Sequence, residues 1–175
     1  MNKKYLSPHF ALMEFVESST ARKHGIDNTP SSEAIENLHR LCINTLEPLR
    51  EELGLPLIIT SGYRCRALNC LLAHHSSRSQ HVQGCAADFH VGDAPEGSSQ
   101  SSGGTSGLSR RELLFKAFRL IITSEKIDYD QVILYPNFIH VSYVSRDKNR
   151  RQITKANGQG TYCGLTREQA LSIQH

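Results

Sequence analysis

Apolar residues Ile35, Leu38, Leu41, Cys42, Leu46, Leu49 and Leu53 recur at three- and four-residue steps. That spacing lines them along one face of a helix. The predicted helix opens at Thr29-Pro30, kinks at Pro48 and stops at Gly54. An earlier helix is predicted from Ser7-Pro8 through Phe10, Leu12, Met13 and Phe15 to Ser18. Another follows a capping box, Ser109 with Glu112, and buries Leu113, Leu114, Ala117, Phe118, Ile121 and Ile122. Four short segments read as strands: Leu57 to Thr60, Ala86 to Val91, Asp130 to Leu134 and Ile139 to Tyr143. In the last, Ile139, Val141 and Tyr143 face one way, while His140 and Ser142 face the other. Ser61-Gly62 turns the first strand into a short helix ending near Leu68. The expected fold class is α+β, a small antiparallel sheet flanked by helices.

Residues 92–108 break the pattern. Gly97 to Gly107 is almost all Gly, Ser and Thr and has nothing to bury, so 93–108 reads as a flexible insertion. A single domain is expected over 1–154, with the polar residues 155–175 as a peripheral C-terminal extension.

Composition narrows the function classes. The chain has 175 residues, 38% hydrophobic and 21% charged, which suits one soluble globular domain. A net charge of +3 is too mild to argue for nucleic acid, though it would suit an anionic cell wall. Arg146 to Arg151, the densest basic run, reads as a solvated strand end. No apolar run approaches the roughly 20 residues of a membrane span. The start, Met1 to Leu6, leads to Pro8 and His9 without an apolar signal core of about 7–15 residues. Synthesis in the cytoplasm without a signal peptide is therefore expected, and so is a monomer. The five cysteines are odd in number and form no C-x-x-C pair, so no disulfide framework is expected.

The candidate chemistry lies in Ser79-Gln80-His81-Val82-Gln83-Gly84-Cys85-Ala86-Ala87-Asp88, followed later by Ile139-His140-Val141. Two imidazoles and a carboxylate make a first shell for Zn²⁺ that leaves one position open for water. Asp88 shares a strand face with Ala86 and His90, and His81 must come from the turn before it, where Gly84 allows a sharp reversal. Pairing of the two strands would bring His140 to Asp88. On spacing alone, a surface histidine, a capping carboxylate and a satisfied core histidine remain open.

The pattern Ser79-x-His81-x-x-Gly84-x-Ala86-x-Asp88, with His140 on a later strand, resembles the zinc D-Ala-D-Ala carboxypeptidase and L-alanyl-D-glutamate endopeptidase family. Many phage endolysins belong to it, and the hedgehog signalling domain shares its fold. Asn28-Thr29-Pro30, the Ser61-Gly62-Tyr63-Arg64 turn, Asn69, Tyr129-Asp130-Gln131-Val132-Ile133 and Arg146 to Gln152 fit the same family. The resemblance covers residues 5–153. It implies Zn²⁺ on His81, Asp88 and His140, acidifying a bound water and polarising a peptide carbonyl. It implies that Arg64 stabilises the oxyanion or holds a substrate carboxylate, with Ser79 and Gln83 as supports near the metal. His90 would hydrogen-bond a ligand from the Asp88 face. Peptidoglycan stem peptide would be the substrate, and delivery to the wall would depend on holin-like release or a phage particle.

One position departs from the family. The general base, Glu or Asp, is expected three residues before the final histidine, where this chain has Asn137. An amide cannot take a proton from water near neutral pH. Either another carboxylate (Asp130, Asp93 or Glu96) reaches the water, or the chain binds zinc without turnover, recognising cell-wall peptide or serving as a structural module of a phage particle. His74-His75 also stands where relatives carry glycines; an exposed turn is the reading there.

Overall fold

The computed structural model describes residues 4–72, 76–93, 107–157 and 159–173. It is α+β, as expected. Strands β1 (Tyr5–Ser7) and β2 (Phe10–Ala11) form a small hairpin before helices α1 (Leu12–Val16), α2 (Ser19–Lys23) and α3 (Ser32–Leu41). A π-helical turn, Cys42–Leu46, leads into α4 (Glu47–Leu53). Next come β3 (Leu57–Ser61), α5 (Arg66–Leu71), a 3₁₀ turn at Gln80–Gln83, β4 (Ala86–Val91) and α6 (Arg110–Thr123). Strands β5 (Gln131–Leu134), β6 (Ile139–Ser142), β7 (Gln152–Ala156) and β8 (Tyr162–Leu165) precede α7 (Arg167–Ser172).

The main sheet has the order β3-β4-β6-β5-β7-β8. Every pairing is antiparallel except β5 with β7. One face of its centre is core: Ala87, Phe89, Val132, Ile139 and Val141 are fully buried there. The pleat sends Ala86, Asp88, His140 and Ser142 to the other face.

Several sequence expectations change. No helix begins at Pro8. Leu6 and Phe10 are buried across a hairpin whose corner is Pro8-His9, and the His9 N–H and ring bond Glu47. The helix starts only at Leu12, after the Ala11 N–H finds the Glu14 carboxylate at 2.7 Å. The long apolar stripe is helical throughout, but Pro48 is absorbed by the π turn before it rather than by a simple kink. Pro48 cannot donate to the Asn44 carbonyl one turn back. That carbonyl instead accepts from the Asp128 N–H at 3.0 Å, and the Thr45 hydroxyl donates to the Asp128 carbonyl at 2.5 Å. The division expected after residue 154 falls inside β7, and β8 and α7 continue the same sheet and helix layer. Polarity concealed this because β8 is an edge strand with mostly exposed residues. Of the expected insertion, 94–106 lies outside the described residues, as do His74-His75 and Glu96.

Candidate metal centre

Strand register does most of the assembly. Asp88 sits directly opposite His140 in the β4–β6 pair. His81 arrives from the 3₁₀ turn, which Gly84 closes at φ +73°. A Cβ on Gly84 would stand 2.4 Å from the Ala34 carbonyl oxygen, so the turn and α3 approach this closely only with glycine there.

The Ser61-Gly62-Tyr63-Arg64 turn faces it. Asn28 ties this turn down: its amide donates to the Val16 and Tyr63 carbonyls, and its oxygen accepts from the Cys65 N–H. Gly62 is pressed against Phe15, whose backbone would lie 2.6 Å from an added Cβ. The Gly62 carbonyl is thereby aimed at His81 Nδ1, 2.7 Å away. A carbonyl only accepts, so Nδ1 of neutral His81 carries the proton and Nε2 presents a lone pair. Fixing one ring nitrogen in this way is how metal-binding histidines are oriented.

His81 Nε2, His140 Nδ1 and Asp88 Oδ1 converge. Their separations are 3.2 Å between the rings, 2.8 Å from His140 to Asp88 and 3.3 Å from His81 to Asp88. Ligand atoms about 2.0–2.2 Å from a tetrahedral Zn²⁺ stand roughly 3.3 Å apart. The two separations from His81 match that spacing, and the His140–Asp88 one is shorter. They also hold too few protons to satisfy one another, since His81 Nε2 has none to give. Burial pulls the His81 imidazole below its usual range, with Asp88 opposing, so the ring is neutral, as a ligand must be. The group His81, Asp88 and His140 could hold a metal ion.

The cluster opens into a cleft of about 980 Å³. Arg64 lines it; its Nε is buried with no partner among the described residues. Burial lowers the Arg64 guanidinium from its usual range, opposed by Asp88 and Tyr135. Ser79 also lines the cleft. Asn137 occupies its rim, exposed in the two-residue turn between β5 and β6 that the Tyr135 N–H to Phe138 carbonyl bond closes at 3.0 Å. Gln83 does not join the site: it is exposed, and its carbonyl accepts from Asn37. His90 shares the Asp88 face but lines a neighbouring cavity instead. Cys85 is buried outside the cluster.

Two features escaped the sequence reading. Asp130, considered there as an alternative base, is saturated. Arg150 donates to it from its backbone N–H, Nε and Nη2, and Gln80 donates from Nε2 at 2.8 Å. Burial would raise this carboxyl, but these donors hold it below its usual value. Arg150 is thus no part of a merely solvated run; nothing in the local pattern singles it out. The second is Tyr162 from β8, which reaches the cleft wall and meets Tyr135, hydroxyl to hydroxyl at 3.1 Å. Among the described residues, no helix is long and apolar enough to cross a membrane.

A family model described as Peptidase M15 matches residues 8–109, and the chain belongs to that family. The matched stretch contains His81 and Asp88; His140 lies beyond it. No curated protein matches the chain.

Proposed function

We propose that this Peptidase M15 member is a zinc-dependent peptidase of peptidoglycan stem peptides, acting on D-Ala-D-Ala or L-Ala-D-Glu type bonds. The observation that carries the reading is the convergence of three ligand atoms, His81 Nε2, Asp88 Oδ1 and His140 Nδ1, within 3.3 Å of one another in an open cleft. Zn²⁺ there would act as a Lewis acid toward a peptide carbonyl and make its water nucleophilic near neutral pH. The chain's own residues supply the rest. Gly62 keeps His81 in the ligating tautomer. Arg64, with an unpaired buried N–H, is placed to hold a developing oxyanion or a substrate carboxylate. Ser79 and Tyr135 shape the walls. The protein would reach the wall by holin-like release or within a phage particle.

A specific observation favours a second reading, a zinc-binding module that recognises cell-wall peptide without cutting it. Among the described residues lining the cleft, the carboxylates are Asp88 and Asp130. The first belongs to the metal cluster and the second is saturated by Arg150 and Gln80. Asn137 stands at the position where the family resemblance expects the base. Metal content and muropeptide release, measured on one preparation beside His140→Ala, separate the two. One zinc per chain with His140-dependent release supports the peptidase. One zinc without release supports the binding module, and no zinc sinks both.

A further inference from the structure

The β5–β6 turn has a cavity on each side. One is the metal cleft. The other, of about 600 Å³, is lined by His90 of β4, Arg110 and Arg111 of the first turn of α6, and Lys155 of β7. Tyr135 and Asn137 belong to both walls. No carboxylate is found among the described residues lining the second cavity. The nearest acid in sequence, Glu112, is turned away to cap α6, accepting from the Ser109 N–H and hydroxyl at 2.7 Å each. Arg111 is held over the Phe115 ring at 5.8 Å, which limits its freedom before any ligand arrives. The start of α6 adds the positive end of a 14-residue helix. Beneath these groups, Leu114, Phe115 and Leu134 are buried and apolar.

Cationic groups from two separate elements, with His90 from a third, over an apolar floor suit an organic anion with a short aliphatic body. We propose that this cavity is a subsite for a carboxylate of the substrate, on the far side of the Tyr135–Phe138 turn from the metal cluster. The ligand's identity as a stem peptide rests on the peptidase reading; the carboxylate preference of the cavity does not. A substrate crossing the turn would pass Asn137, placing a free carboxylate of a residue such as D-Glu among Arg111 and Lys155.

The zinc-loaded full chain, ¹⁵N-labelled, would be titrated with glutarate. Amide shifts at His90, Arg111 and Lys155 are expected, and the double variant Arg111→Gln/Lys155→Gln should weaken glutarate about tenfold at unchanged zinc content. Shifts confined to the metal cleft, or affinity unchanged in the double variant, would overturn the subsite. Inorganic phosphate displacing glutarate at equal concentration would overturn the assignment to a carboxylate. In a second arm, amidating the D-Glu carboxylate of a stem peptide should raise KM for the unmodified chain and not for the double variant. Glutarate binding as expected with no peptide hydrolysed leaves the subsite standing and removes the peptidase reading. Hydrolysis with a charge-blind KM and no glutarate shifts does the reverse.

Discussion

Asp88 and Asp130 line the same cleft and keep opposite company. Asp130 is 1% exposed and receives N–H donors from Arg150 and Gln80, so its lone pairs are occupied. Asp88 faces two imidazole nitrogens, and one of those, His81 Nε2, has no proton to offer. A saturated carboxylate is architecture: it fastens the Gln80–Gln83 turn to the segment before β7. An undersupplied one, beside an imidazole lone pair, is a place for a cation. The count of protons around each group, rather than burial, separates the two roles.

The largest expected effect would come from removing a donor on the undersupplied side. His140→Ala should reduce bound zinc from one per chain to none, and stem-peptide release should fall on the order of 10³-fold. Zinc analysis, with circular dichroism to verify folding, checks this; retained zinc would break the contrast. On the saturated side, Arg150→Ala should cost about 3 kcal/mol in denaturant unfolding while the zinc stoichiometry holds. This lies at the low end for a buried carboxylate losing its partner, because Arg150 itself is half exposed. Loss of zinc along with stability would mean that the two carboxylates are not separable.

Asn137→Asp tests whether the cleft lacks a base. Release should rise about 10²-fold with zinc content unchanged. If the substitution instead abolishes an existing activity, the base lies elsewhere and Asn137 has another role. The smallest effect should appear with pH. The Asp130 carboxyl is held below its ordinary 3.8, so its contribution to stability is present above that value. It should disappear as the pH falls through the lower folded-state value. Unfolding midpoints across pH 2 to 5, for the unmodified chain and Asp130→Asn, should converge at the acid end. Parallel curves would show that Asp130 does not provide that stability.

Much of the molecule could be read along the chain, because local periodicity reports what each element buries. The Ile35 to Leu53 stripe, the strand faces of Ala86 to Val91 and Ile139 to Tyr143, and the Ser109–Glu112 cap all appear where the pattern places them. Failures came where a local signal competed with a distant partner. Leu6 and Phe10 are compatible with a helix, yet they fold as a hairpin that Glu47 anchors. Gln83 fits the motif spacing but lies on the outer side of a 3₁₀ turn.

By itself the amino-acid order determined which residues can ligate a metal and which face of each strand they occupy, since side-chain direction follows from backbone period alone. Only the tertiary structure decided that Asp88 pairs with His140, that the Gly62 carbonyl sets the tautomer of His81, and that Arg150 rather than a water occupies Asp130. Those contacts join residues 19 to 52 positions apart. Strand register and turn packing bring such residues together, and neither leaves a local trace in the chain.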